Sequence, residues 1–247
     1  MARRRQRRKS NLENTLNFMM VLTMFFGNLL LRLILFVYDL ITMHTSQYKQ
    51  KAGINIFKAY FDKGYYGEFV LYRKLIRIFG KEHVYANLYL DNKRTDVTEI
   101  DVIAVSQKGV YVFEMKNYGG YIFGSQKNKN WTQVFNRFSK HSFYNPLRQN
   151  YAHTEAVKNF LNLPDKTLKP MVIFANRGRL KIDRIEPRHA VLKLKEAIKH
   201  IKAYEKKAPS LLNEEEVRRI NTHLIEKMHA DDEVKAHHLE QVKQLSS

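Results

Sequence analysis

The chain has 247 residues, 44% of them hydrophobic, enough for one medium catalytic domain with additions at each end and too apolar for a disordered tail. Lysine and arginine number 43 against 24 acidic residues, and the resulting formal charge of +19 points to polyanionic partners, either nucleic acid or anionic lipid. There is no cysteine, which excludes disulfides, thiolate zinc sites and a cysteine nucleophile.

Six of the positive charges fall within residues 3–9 of a basic tail, 1–13. Residues 15–38 are then almost wholly apolar, and about 20 such residues cross the hydrocarbon core of a bilayer. The segment 14–42 is therefore expected to anchor the chain in the cell membrane as a single pass. No small-residue cleavage site of the secretory kind follows it, so it is expected to be retained. Asn28 and Arg32 interrupt the run and leave two alternatives, a re-entrant hairpin turning at Gly27 and Asn28 or a helix lying in the interface. More basic residues precede the run than follow it, which favours a cytoplasmic N-terminus, yet a cytoplasmic DNA substrate would demand the opposite placement. The side of the membrane stays open.

Residues 43–56 read as a polar linker, 57–205 as the folded domain and 206–247 as a C-terminal helical extension. Leu71, Tyr72, Leu75 and Phe79 recur at helical spacing before Gly80 stops the pattern. Three strand-like runs follow, 84–90, 100–106 and 110–116, with Lys108 and Gly109 turning between the last two, a meander that opens a mixed sheet. Gly119 and Gly120 predict a tight turn before 121–123, and the region around Trp131 an added strand or loop. Asn145 and Pro146 open a helix to residue 163, asparagine as cap and proline in its first turn. Apolar runs at 171–175 and 190–194 predict two more strands, the second leading into a helix that reaches about Tyr204. Val217, Ile220, Leu224 and Met228 lie at helical spacing behind three glutamates, and a weaker helix follows Asp231. These C-terminal helices are expected to dock on the domain or on a protein partner. Interleaved strands and helices make the domain α/β or α+β.

The chemistry gathers at one end of the predicted sheet. Strand side chains alternate, so Val110, Val112, Glu114 and Lys116 share a face, as do Asp101, Ile103 and Val105. Antiparallel pairing across the Lys108–Gly109 turn brings Asp101 towards Glu114. Two carboxylates and an ammonium suit phosphodiester hydrolysis: hard oxygens hold Mg²⁺, and the ammonium orients water or offsets developing charge. Glu68 shares the apolar stripe of its helix, where a free carboxylate is costly. Gln149 faces inward one turn from His153. Glu99 lies on the side of Asp101, as a supporting acid or a surface charge. Lys127, Lys129, Arg137, Lys140 and Arg148, interleaved with Phe135, Phe138 and Tyr144, either track a phosphate backbone or cover a packed aromatic cluster.

The blocks GE at Gly67 and Glu68, TEIDVIAVS at 98–106, GVYVFEMKNYGG at 109–120, Trp131 and NPLRQN at 145–150 occur in an order that closely resembles the nuclease-related domain, NERD, over about a hundred residues. The resemblance implies an α/β restriction-endonuclease-like core, a central mixed β-sheet flanked by helices. It further implies that Asp101, Glu114 and Glu68 hold Mg²⁺, with Mn²⁺ as a substitute, that Lys116 serves the attacking water, and that Gln149 completes the pocket. The function expected is a membrane-anchored, metal-dependent nuclease acting on DNA. A non-catalytic nucleic-acid-binding adaptor, or a subunit of a larger membrane complex, is the alternative.

Overall fold

The computed structural model describes residues 2–46, 48, 52, 54–92, 96–183 and 190–228. It divides into two units, Met1–Thr42 and Met43–Ser247. The first unit lies almost wholly in one helix, α1 (Ala2–Thr45), of which Asn14–Thr45 is long and apolar enough to cross a membrane. Its large apolar side chains, Phe18, Phe25 and Leu30 among them, stand exposed. The helix runs unbroken through Gly27 and Asn28, where Asn28 Nδ2 donates back to the Met24 carbonyl at 3.0 Å. Asparagine satisfies itself on its own helix, and a hairpin turn at this point is excluded.

The second unit begins earlier than the linker reading allows. Met43, Tyr48 and Ala52 are buried, and the Tyr48 ring meets Phe69 and Tyr72 at centroid distances of 5.2 Å each. Tyr72 Oη donates to the Ser46 carbonyl at 2.7 Å. Three apolar residues spaced through a polar stretch give no clear helical or strand period, so the sequence conceals their part in the core.

Two helices follow, α2 (Ile56–Phe61) and α3 (Lys63–Phe79). Asn55 caps the first by accepting from Phe57 N–H, and Asp62 caps the second by accepting from Gly64 and Tyr65 N–H. The chain then forms β1 (Val84–Asn92), β2 (Asp96–Ser106), β3 (Gly109–Lys116), β4 (Gly120–Gly124), β5 (Asn130–Asn136) and β6 (Ser139–Tyr144). After α4 (Pro146–Leu161) come β7 (Leu168–Phe174), β8 (Gly178–Ile182), β9 (Ala190–Lys193), α5 (Leu194–Lys207) and α6 (Glu214–Glu226).

One sheet has the order β1-β2-β3-β7-β9. Its first three strands are the expected antiparallel meander, while β7 runs parallel to β3 and β9 parallel to β7. Strand β3 is central and buried along its length up to Lys116. Helices α3 and α5 pack on one face around Phe69, Leu75, Phe113 and Ile201. Helices α4 and α6 cover the other through Val157, Leu161, Ile220 and Leu224. The stretch after 206 is thus partly core, with Leu212, Val217, Ile220 and Leu224 buried rather than appended. The weaker helix expected after Asp231 lies outside the described residues.

The region read as a turn followed by an added strand or loop is instead a second sheet, ordered β6-β5-β4-β8. Its inner face joins the first sheet through Ile122, Trp131, Leu147, Val172 and Phe174, with the Trp131 and Phe174 rings stacked 6.1 Å apart. Strand β8 reads GRLKI, too short and too charged to announce itself.

Asn145 fixes the start of α4 and hence the placement of Gln149. Its Oδ1 accepts from Leu147 N–H at 3.0 Å, and its Nδ2 donates to the carbonyls of Ser125, Gln126 and Asn128. Asn145→Ala removes cap and loop donors at once and is expected to cost about 2 kcal/mol. In urea this appears as a lower unfolding midpoint at unchanged slope, and Asn145→Asp, which keeps only the cap, recovers part of the loss.

Candidate active site

The hydrogen-bonded pairs of β2 and β3 stop at Val102 and Phe113, one residue short of Asp101 and Glu114. Beyond that point the Met115 N–H donates to Asp101 Oδ2 at 2.7 Å. A side chain thus takes the place of ladder pairing where the acidic residues meet. Strand β1 adds a second irregularity: its pairing with β2 passes over Asn87 and Asp101, and Asn87 has φ 53°. Asparagine tolerates that left-handed backbone better than most residues.

Glu114 is 1% exposed, with Oε1 2.6 Å from Lys116 Nζ. Lys116 Nζ also donates to Gln149 Oε1 at 3.0 Å, so α4 and β3 hold one ammonium between them. On the far side of Glu114, His153 Nδ1 approaches Oε2 to 3.2 Å. Both atoms are buried with no other partner.

Burial opposes ionisation of Glu114, but the Lys116 charge and then His153 outweigh it and hold the carboxyl below its ordinary range. Burial pushes Asp101 well above the ordinary range, reinforced by the charges of Glu114 and Glu68. Burial and the Glu99 charge push Glu68 up to about 8, against the pull of a hydrogen bond from Asn87. Glu68 is partly exposed as a residue, yet its Oε2 is covered and unpartnered. Lys116 is disfavoured as a cation by burial, but Glu114 and Asp101 raise it above its ordinary value. Held between Glu114 and Gln149, this ammonium is placed to donate hydrogen bonds and to attract negative charge.

These groups open on a cleft of about 680 Å³ lined by Glu68, Asp101, Glu114, Lys116 and Gln149, all five of the residues singled out from sequence. Tyr60, Tyr66, Tyr118 and Arg177 also stand in its walls. Glu99 does not line it, but accepts from Asn87 Nδ2 at 2.8 Å and acts on Glu68 through its charge. His153 and Asn87 were not assigned to the site from sequence. His153 was within reach, because four residues separate it from Gln149 on the same helix face; nothing local marks Asn87.

Among the described residues, no group of three or more histidine, aspartate and glutamate side chains is arranged to hold a metal ion. Mg²⁺ needs fewer: it is commonly bound by one or two carboxylates, with water and substrate phosphates filling the remaining positions. Asp101 and Glu114 offer hard oxygens of that kind, and the unpartnered Oε2 atoms of Glu114 and Glu68 are oxygens a cation would satisfy. By donor chemistry the residues fit the ion.

The fold and site define a mixed α/β protein whose central sheet carries two carboxylates and a lysine at one end, opening on a cleft. Residues 63–175 match the family profile of the nuclease-related domain, NERD. An uncharacterized protein of Bacillus anthracis is 41% identical over 97 residues, which is 39% of this chain and 45% of that one. The chain thus spans less than half the length of that relative. The crystal structure of a protein of unknown function aligns with 75% of this chain and 99% of its own, at a TM-score of 0.35 and 13% identity. That likeness is too distant to carry an argument.

Proposed function

We propose that the chain is a membrane-anchored, Mg²⁺-dependent nuclease that hydrolyses phosphodiester bonds of DNA. What carries this reading is the convergence of Asp101, Glu114 and Lys116 in one cleft inside a nuclease-related domain. Asp101 and Glu114 would hold the ion, which when bound lowers the pKa of water and offsets charge on the phosphate. Lys116, firmly protonated, supplies positive charge to a phosphate oxygen, and Glu114 and Gln149 fix its direction. Glu68 lines the cleft and would offer the ion a further oxygen ligand.

The test is nicking of supercoiled plasmid by the purified full chain in Mg²⁺ or in chelator. Nicking that requires metal and disappears in Asp101→Ala supports the reading. Metal-independent DNA binding without nicking, at large enzyme excess, turns it into the adaptor. The anchor is tested separately. The full chain is expected to sediment with membranes through high salt and to enter solution only in detergent, whereas a chain beginning at Met43 remains in the supernatant.

A further inference from the structure

From Met115 to Thr154 the sequence holds no acidic residue but six lysines and arginines, and this acid-free stretch contains three of the four strands of the second sheet. Strand β8 has no acid either and adds Arg179 and Lys181. The register decides where these charges go. Tyr121 lies beside Arg179 on one neighbouring strand and Val134 on the other, and Phe123 beside Lys181 and Thr132. Lys140 continues the first row on β6. Ile122 and Trp131, on the opposite face, are buried.

The outward face is therefore basic and aromatic. Tyr121 is 37% and Phe123 46% exposed, their rings stacked with centroids 6.4 Å apart and planes 27° apart. Arg179 holds the first ring in place: its Nη1 donates to Tyr121 Oη at 2.8 Å, and its guanidinium lies 5.2 Å from the ring centroid. The opposite face of the same sheet reaches the cleft, where Gln133 and its cross-strand partner His141 help to line it.

We propose that this face is a stacking platform for single-stranded nucleic acid. A cationic surface attracts any polyanion, but open aromatic faces add binding only for a partner with π-faces of its own. Bases in a duplex are already stacked on one another, and lipid headgroups have none to offer. An unpaired strand satisfies both features. The platform rests on the nuclease reading for its use, although its binding requires no cleavage.

The experiment uses the full chain in uncharged detergent with chelator present, so that nothing is cut. Fluorescence anisotropy measures binding of a labelled oligothymidylate of about 12 nucleotides, within the span such surfaces cover, and of a duplex of equal length. The double substitution Tyr121→Ala with Phe123→Ala is expected to weaken single-strand binding roughly tenfold or more and to change duplex binding by less than about twofold. Both side chains are exposed, and an unchanged unfolding midpoint verifies the fold. Unchanged single-strand binding, or equal losses for both nucleic acids, overturns the platform. So does a loss confined to micelles carrying phosphatidylglycerol, which would assign the face to the membrane surface. Because binding is read without metal, a platform that fails leaves plasmid nicking untouched, and a chain that never nicks can still show the platform.

Discussion

Lys116→Ala is expected to slow metal-stimulated cleavage by on the order of a thousandfold in single-turnover assays. Lys116 is the one lysine among the cleft's charged groups that touches both Glu114 and Gln149, at 2.6 and 3.0 Å. It also offsets negative charge on Asp101, which already sits well above its ordinary range. Removing it strips positive charge from the phosphate and leaves Glu114, 1% exposed, facing only His153. Losing one partner of a buried pair costs about 3 kcal/mol, so part of the effect is stability. Lys116→Arg separates the two. It keeps the charge and most of the folding free energy, yet a guanidinium cannot occupy the position of an ammonium, and the rate is expected to stay low. Urea unfolding alongside the rate assay reports each contribution, and near-wild-type cleavage by a folded Lys116→Ala would remove lysine from the mechanism.

Trp131→Ala is expected to destabilise the second unit by about 4 kcal/mol, the largest stability loss foreseen here. Its ring is 1% exposed, stacks on Phe174 of β7, meets Phe143, and donates from Nε1 to the Ser125 carbonyl at 2.9 Å. It is the largest of the buried side chains through which the second sheet joins the first. The packing leaves no slack: a Cβ added at Gly124 would stand 2.2 Å from the Trp131 ring. Gly124→Ala should therefore destabilise as well, by about 2 kcal/mol through overpacking rather than a cavity. Denaturant midpoints for both variants measure this, and a loss below about 1 kcal/mol for Trp131→Ala would mean the sheets are held elsewhere.

The meander was legible because β2 and β3 carry apolar runs around a two-residue turn, and the alternation of β3 put Glu114 and Lys116 on one face without any knowledge of the fold. The five cleft residues followed from that alternation, from helix periodicity at Glu68 and Gln149, and from the family resemblance. What stayed hidden depends on contacts distant in sequence. Strand β4 is only five residues long, β5 and β6 are short and polar on one side, and β8 gains its place by pairing with β4, more than fifty residues earlier in the chain. Tyr48 looked like linker because its partners, Phe69 and Tyr72, lie on another helix. Asn87 enters the site through a backbone conformation, φ 53°, which no local pattern announces.

The central claim is that Asp101, Glu114 and Lys116 act as one hydrolytic unit. Its most direct test is the single-turnover rate of plasmid nicking in Mg²⁺ for Asp101→Ala, Lys116→Ala and the double variant. Residues that act as a unit lose nearly everything at the first substitution, so the double variant should be no more than a few times slower than either single one. Independent losses that multiply, or nicking that survives in both single variants, would contradict the claim.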